Sequence, residues 1–234
     1  MRAQRSKVIA AAFSVLLILG FSDVALAHGV TGKDALYIQS VSGPAIGPFL
    51  YLGAKHMVTG YDHLLFLFGV IFFLYRLKDV VQYVTLFTIG HSLTLLLGVL
   101  GGIRANPFII DAIIGLSVAY KAFDNMDGFK CLFGFQPNTK IAVMVFGLFH
   151  GFGLATKLQE FTLPKNGLAT NILSFNVGVE LGQVIALTGV LIILSYWRRT
   201  PSFLRDAFVA NTVLMGCGFL LVGYQLSGYL LSKA

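Results

Sequence analysis

The chain is poor in charge. Only 12% of its 234 residues are Asp, Glu, Lys or Arg, against about 25% in a typical soluble domain. A water-exposed globular domain is therefore a poor fit to this composition. Cysteine is scarce as well: Cys131 and Cys217 stand far apart and match neither a disulfide framework nor a metal or redox spacing, and both read as inert thiols. No glycine-rich phosphate loop is present, which argues against direct use of ATP. The net charge of +7 does not indicate nucleic acid, because the Lys and Arg residues fall in short gaps between apolar runs, where topology-setting charges belong. What the chain has in quantity is apolar sequence: 56% of residues are hydrophobic and the mean hydropathy is +0.81. The 21 phenylalanines read as lipid-facing and packing surface.

The order of segments suggests an exported, multi-pass protein. Arg2, Arg5 and Lys7 precede a short apolar run from Val8 to Gly20, and Ala25-Leu26-Ala27 has the small-x-small form of a cleavage site. Residues 1–27 thus read as a cleaved signal peptide, 28–45 as a short exported segment and 46–234 as a transmembrane domain. Six apolar stretches follow, at about 49–75, 80–100, 107–126, 140–158, 171–197 and 206–231. Each supplies the roughly 20 residues that cross a bilayer as a helix, and lipid leaves helices as the expected way to satisfy the backbone. The expected fold is an all-α membrane protein, a bundle of six transmembrane helices. Cleavage plus six spans puts both termini outside a bacterial inner membrane. Arg76, Lys78, Lys130, Arg198, Arg199 and Arg205 then fall on the cytoplasmic side, in agreement with the positive-inside rule.

The informative residues are polar groups inside the apolar runs, where a charge costs roughly 2.5–3.5 kcal/mol at mid-bilayer by insertion scales. The first stretch holds His56, Asp62 and His63. Read as one continuous helix, it puts His56 and His63 on a common face about 10 Å apart along the axis, with Gly60 between them. Asp62 could bind a metal or accept a proton from an imidazole. The second stretch holds His91 with Thr88 and Ser92, the fourth His150 between Gly147 and Gly151, and the fifth Asn176, Glu180 and Gln183 at i, i+4 and i+7. Small residues four apart allow close approach of helices beside these groups. His56, Asp62, His63, His91, His150 and Glu180 form the candidate ligand set, with Thr88, Ser92, Asn176 and Gln183 as supporting polar groups. Imidazole with carboxylate suits nickel, cobalt, zinc or copper better than magnesium or calcium. His28, at the new N-terminus, is a candidate for outer metal capture. Asp111 reads either as cavity lining or as a residue near the outer interface, and Lys121 with Asp124 as an i, i+3 ion pair. Three other uses of the buried histidines fit the residues: an intramembrane zinc hydrolase with Ser92 as auxiliary, a haem held between facing helices, and a purely structural accessory subunit.

Four runs carry a resemblance over nearly the whole chain: HxxxGxDH from His56 to His63, an FTxxHSLTL-like run from Phe87 to Leu95, FHGxG from Phe149 to Gly153, and FNxGVExGQ from Phe175 to Gln183. Together they resemble the HupE/UreJ family, which is associated with hydrogenase and urease accessory functions and whose members are regarded as nickel or cobalt permeases. The resemblance implies a facilitator of divalent metal entry, with nickel or cobalt as cargo and a metalloenzyme maturation system as a candidate partner; the donor set keeps zinc as a further alternative. His56, Asp62 and His63 match the first signature and His150 the later one. Met57 stands where the nickel-permease pattern has proline, and Lys157 where it has glutamate, so the chain resembles a divergent branch.

Overall fold

The computed structural model describes residues 41–159 and 166–233. The proposed signal peptide, His28 and most of the exported segment lie outside the described residues. Those described form helices only, with no strand among them. In chain order the helices are α1 (Ile46–Thr59), α2 (Tyr61–Ile71), α3 (Leu77–Gly101), α4 (Pro107–Asn125), α5 (Gly128–Phe133), α6 (Thr139–Leu158), α7 (Leu168–Trp197) and α8 (Phe203–Leu231). Local sequence explains several boundaries. Asn106 caps α4, accepting from the Ile109 N–H, and Pro107 supplies a preset first turn. Asn138 caps α6 by accepting from Lys140 and Ile141, and Gly102 closes α3 in the left-handed conformation at φ +62°.

Four helices, α3, α6, α7 and α8, are long and apolar enough to cross a membrane, which makes this a multi-pass membrane protein. The other two apolar stretches fall short for identifiable reasons. Helix α4 has 19 residues and carries Asp111, Lys121 and Asp124. The first stretch is not the continuous helix expected from its hydropathy, because it breaks at Gly60. That residue is buried, and its N–H closes on the His56 carbonyl at 2.8 Å. A Cβ there would meet the His56 carbonyl at 3.0 Å and the His63 Nδ1 at 3.3 Å, so the break is built around a glycine. Helix α2 then starts with Asp62 in its first turn, where a carboxylate complements the helix dipole.

The bundle is assembled from three closely packed pairs. In α1/α7 the Cβ positions of Gly178 and Gly182 fall against the backbone of Leu50 and Ala54, and that of Gly53 against Phe175. In α3/α6, Gly147 faces the Phe87 carbonyl and Gly151 the His91 carbonyl, and Thr94 Oγ1 donates across the pair to the Leu148 carbonyl at 2.7 Å. In α4/α8, Gly218 faces Ala119 and Gly115 faces Leu221. Lipid gives apolar helices no hydrophobic drive to associate, so such close backbone contacts are the main source of cohesion. Matched residue numbers rise together in the first two pairs and oppose each other in the third. Pairs α1/α7 and α3/α6 are thus parallel and α4/α8 is antiparallel.

Helices α1 and α2 together run beside the whole of α7. At one end Asn171 accepts from the Ala45 N–H at 2.7 Å. At the other, Arg198 donates to the carbonyls of Ile71, Phe72 and Leu74, at and just beyond the end of α2. The broken stretch is therefore one two-part element spanning the thickness of the bundle. On the same side of the bundle as Arg198, Lys121 pairs with Asp124 at 2.5 Å as expected from their spacing. Asp124 also accepts from Gln136 and Thr139.

Candidate metal centre

The break at Gly60 brings His56 and His63 together. His56 lies in the last turn of α1 and His63 in the first turn of α2, so their ring centroids are 5.2 Å apart. The roughly 10 Å spacing along a single helix axis does not occur. His63 is the hub of the cluster. Its ring also lies 4.7 Å from that of His150 on α6 and 5.8 Å from that of His91 on α3. Four helices thus contribute four imidazoles in edge-to-face contact. His63, His91 and His150 are at most 3% exposed.

Hydrogen bonds decide which ring nitrogens carry lone pairs. Asp62 Oδ1 accepts from the His63 backbone N–H and lies 2.9 Å from His63 Nδ1. A carboxylate can only accept, so Nδ1 carries the hydrogen and, in the uncharged tautomer, the lone pair sits at Nε2. His150 Nδ1 lies 2.7 Å from the Phe146 carbonyl, and the same argument leaves its lone pair at Nε2. Neither Nε2 has a hydrogen-bond partner among the described residues, and neither nitrogen of His91 has one. Buried polar atoms without partners are rare in folded proteins. An imidazole backed at one nitrogen and bare at the other is the arrangement metal-binding histidines use.

His56, Asp62, His63 and His150 line one small cavity together with Asp111, Ile114, Gly153, Leu154 and Lys157. Its volume of about 10 Å³ is about what one water-sized sphere occupies. It has room for an ion but not for a porphyrin or an organic substrate, which take pockets of about 300 Å³ or more. The donors are chemically suited to a borderline transition metal. No group of three or more His, Cys, Asp or Glu side chains among the described residues is already arranged to hold a metal ion. The rings meet at their edges and do not converge on one point at the roughly 2.0–2.1 Å that ligation requires.

The remaining predicted residues divide. Thr88 on α3 donates to Gln183 Oε1 on α7 at 3.0 Å. Ser92 Oγ, Asn176 Oδ1 and Gln183 Nε2 are buried without partners among the described residues. Glu180 is exposed and lines a separate groove between α3 and α7 with Thr88 and Gln183. It stands apart from the residues lining the histidine cavity.

One feature escapes sequence reasoning. Phe66, Phe87 and Phe146 form a layer beside the histidines, with ring centroids 5.6 Å apart for Phe66–Phe87 and 5.7 Å for Phe66–Phe146. Phe66 is i+3 from His63 on α2, while Phe87 and Phe146 are i−4 from His91 and His150 on α3 and α6. Helix α2 runs opposite to α3 and α6, so all three rings fall on the same side of the imidazole layer. The spacing is visible in the sequence, but the relative direction of the helices is not.

A multi-pass helical membrane protein with a buried imidazole cluster gathered around a broken helix is the class these features define. The family model described as HupE / UreJ protein matches residues 32–233, and the chain belongs to that family. No curated protein and no solved structure matches it. Membership suggests an accessory or transport function related to nickel or cobalt.

Proposed function

We propose that the protein is a permease for a divalent transition metal, nickel first and cobalt or zinc as alternatives, in the bacterial inner membrane. The observation that carries this reading is the pair of bare Nε2 atoms on His63 and His150. Both rings are oriented by a hydrogen bond at Nδ1 and both line a cavity of ion size. The cargo binds there to imidazole nitrogens, with Asp62 orienting His63 and His56 and His91 as further donors. Small ring rotations bring the donors into convergence. Coordination that forms only as the ion enters is labile, and conduction needs binding weak enough to release. A cavity this small favours an ion over the substrate of a hydrolase.

The directions of the paired helices support six crossings with both ends of the bundle on one side, and the Lys and Arg residues of the alternate gaps favour the outside for that side. Successive spans alternate in direction. Helices α3 and α6 are parallel, so an odd number of crossings separates them, and α4 must cross despite its charges. The same parity holds for α1–α2 against α7, and α4/α8 is antiparallel as spans three and six require. In this topology the cavity between the histidines and Lys157 faces outward, and the phenylalanine layer lies on the cytoplasmic side as a hydrophobic barrier to release. The metal then serves a metalloenzyme maturation system in the cytoplasm.

Two experiments test this reading. Cys131 is exposed on α5 and Cys217 is buried in α8. In right-side-out membrane vesicles, a membrane-impermeant maleimide is expected to label Cys131 only after permeabilisation. Labelling of intact vesicles would contradict the topology. Nickel X-ray absorption on the purified protein is expected to show imidazole ligands at about 2.0–2.1 Å. A shell of oxygen alone, or no bound nickel, would remove the histidine site from the account.

A further inference from the structure

The cavity holds a second carboxylate besides Asp62, and that carboxylate is paired with a lysine. Asp111, on α4, is 6% exposed. Its Oδ2 accepts from Lys157 Nζ at 2.8 Å and from Gln225 Nε2 at 3.4 Å. Its Oδ1 is buried and has no hydrogen-bond partner among the described residues. That oxygen lies against Gly153, one turn along α6 from His150. Asp111 and Lys157 line the same cavity as the histidines. A half-satisfied buried carboxylate is expensive, and its bare oxygen is a hard donor on the approach to the imidazole nitrogens. Lysine is a compact charge on a flexible stem. Lys157 stands in the last turn of α6, and its side chain is 15% exposed rather than sealed in the bundle.

We propose that Asp111 is a further donor on the metal's path and that Lys157 is its tethered counter-ion, displaced when a divalent cation enters. This inference rests on the permease reading. The ammonium and the ion compete for one carboxylate, so each weakens the hold of the other by the same factor. Lys157 keeps Asp111 paired between transport events, and its return helps expel the ion. The competing cation lowers affinity and raises exchange.

Nickel titration of the purified full-length protein tests the proposal. Lys157→Met is expected to bind nickel about tenfold tighter or more, and Asp111→Asn about tenfold weaker, within the usual range of coupling between ligands. The tightening caused by Lys157→Met should shrink in an Asp111→Asn background, because the contested carboxylate is gone. Lys157→Arg keeps the cation and should stay near wild type, which separates displacement from a folding defect. Unchanged or weaker binding by folded Lys157→Met, or equal tightening in both backgrounds, overturns the proposal while the permease reading stands. Wild-type protein that binds none of nickel, cobalt and zinc overturns both.

Discussion

His63→Ala is expected to reduce nickel influx into proteoliposomes by roughly a hundredfold or more, to the level of empty vesicles, since it removes both a ligand and the ring its carboxylate orients. Among the described residues, His63 is the one imidazole in ring contact with the other three, and it is pre-oriented by Asp62 through Nδ1. Removing it takes away a bare nitrogen donor, leaves Asp62 without the ring it orients, and separates His56 on α1 from His150 on α6. Asp62→Asn is the milder change. An asparagine oxygen can still accept from Nδ1–H, so the tautomer survives while the negative charge behind the ring is lost. Loss of such an orienting partner typically costs about 10- to 100-fold in metal affinity. The expected order of influx is wild type, then Asp62→Asn, then His63→Ala. Equal activity of all three would mean the ion takes another route.

The second large effect is structural and falls at Gly151. A Cβ on Gly151 would overlap the His91 carbonyl and Thr94 Oγ1. The first is backbone on the facing helix, with no flexible end to move aside. Gly151→Leu should therefore separate α3 from α6, break the Thr94–Leu148 hydrogen bond and displace His91 and His150 together. Overpacking a fitted interface costs about 1–3 kcal/mol or more, and here the helix pair itself is at stake. The expected result is loss of the thermal transition in detergent and of metal binding. Gly189 on α7 is the control, since a Cβ there meets nothing within 4 Å. Gly189→Ala should be neutral, or stabilising by up to about 1 kcal/mol through helix propensity. A stable Gly151→Leu that still binds nickel would refute the close α3/α6 packing.

Much of this architecture is legible in the sequence because hydropathy reports the solvent directly. Five of the six apolar stretches are single helices close to their expected bounds. The first is not, because hydropathy is blind to a break that keeps both halves apolar. In the sequence Gly60 reads as a space between two histidines on one face. The crowding of His56, Asp62 and His63 around it explains the break, and that crowding exists only in three dimensions. Helical periodicity finds the polar residues but cannot say which way each face is turned. His91 and His150 share a cluster with His63. Glu180, one turn along α7 from buried Asn176, faces a different groove. Asp111 keeps two readings in the sequence, because the choice between them depends on Lys157, 46 residues away. The phenylalanine layer needs the directions of α2, α3 and α6.

The most direct test of the account is wild-type nickel influx into proteoliposomes at graded metal concentration. The histidine pathway predicts influx that saturates, exceeds that of empty vesicles and is competed by cobalt or zinc. Influx no greater than in empty vesicles, from protein shown to be folded, would contradict it and leave the buried histidines as a fixed site.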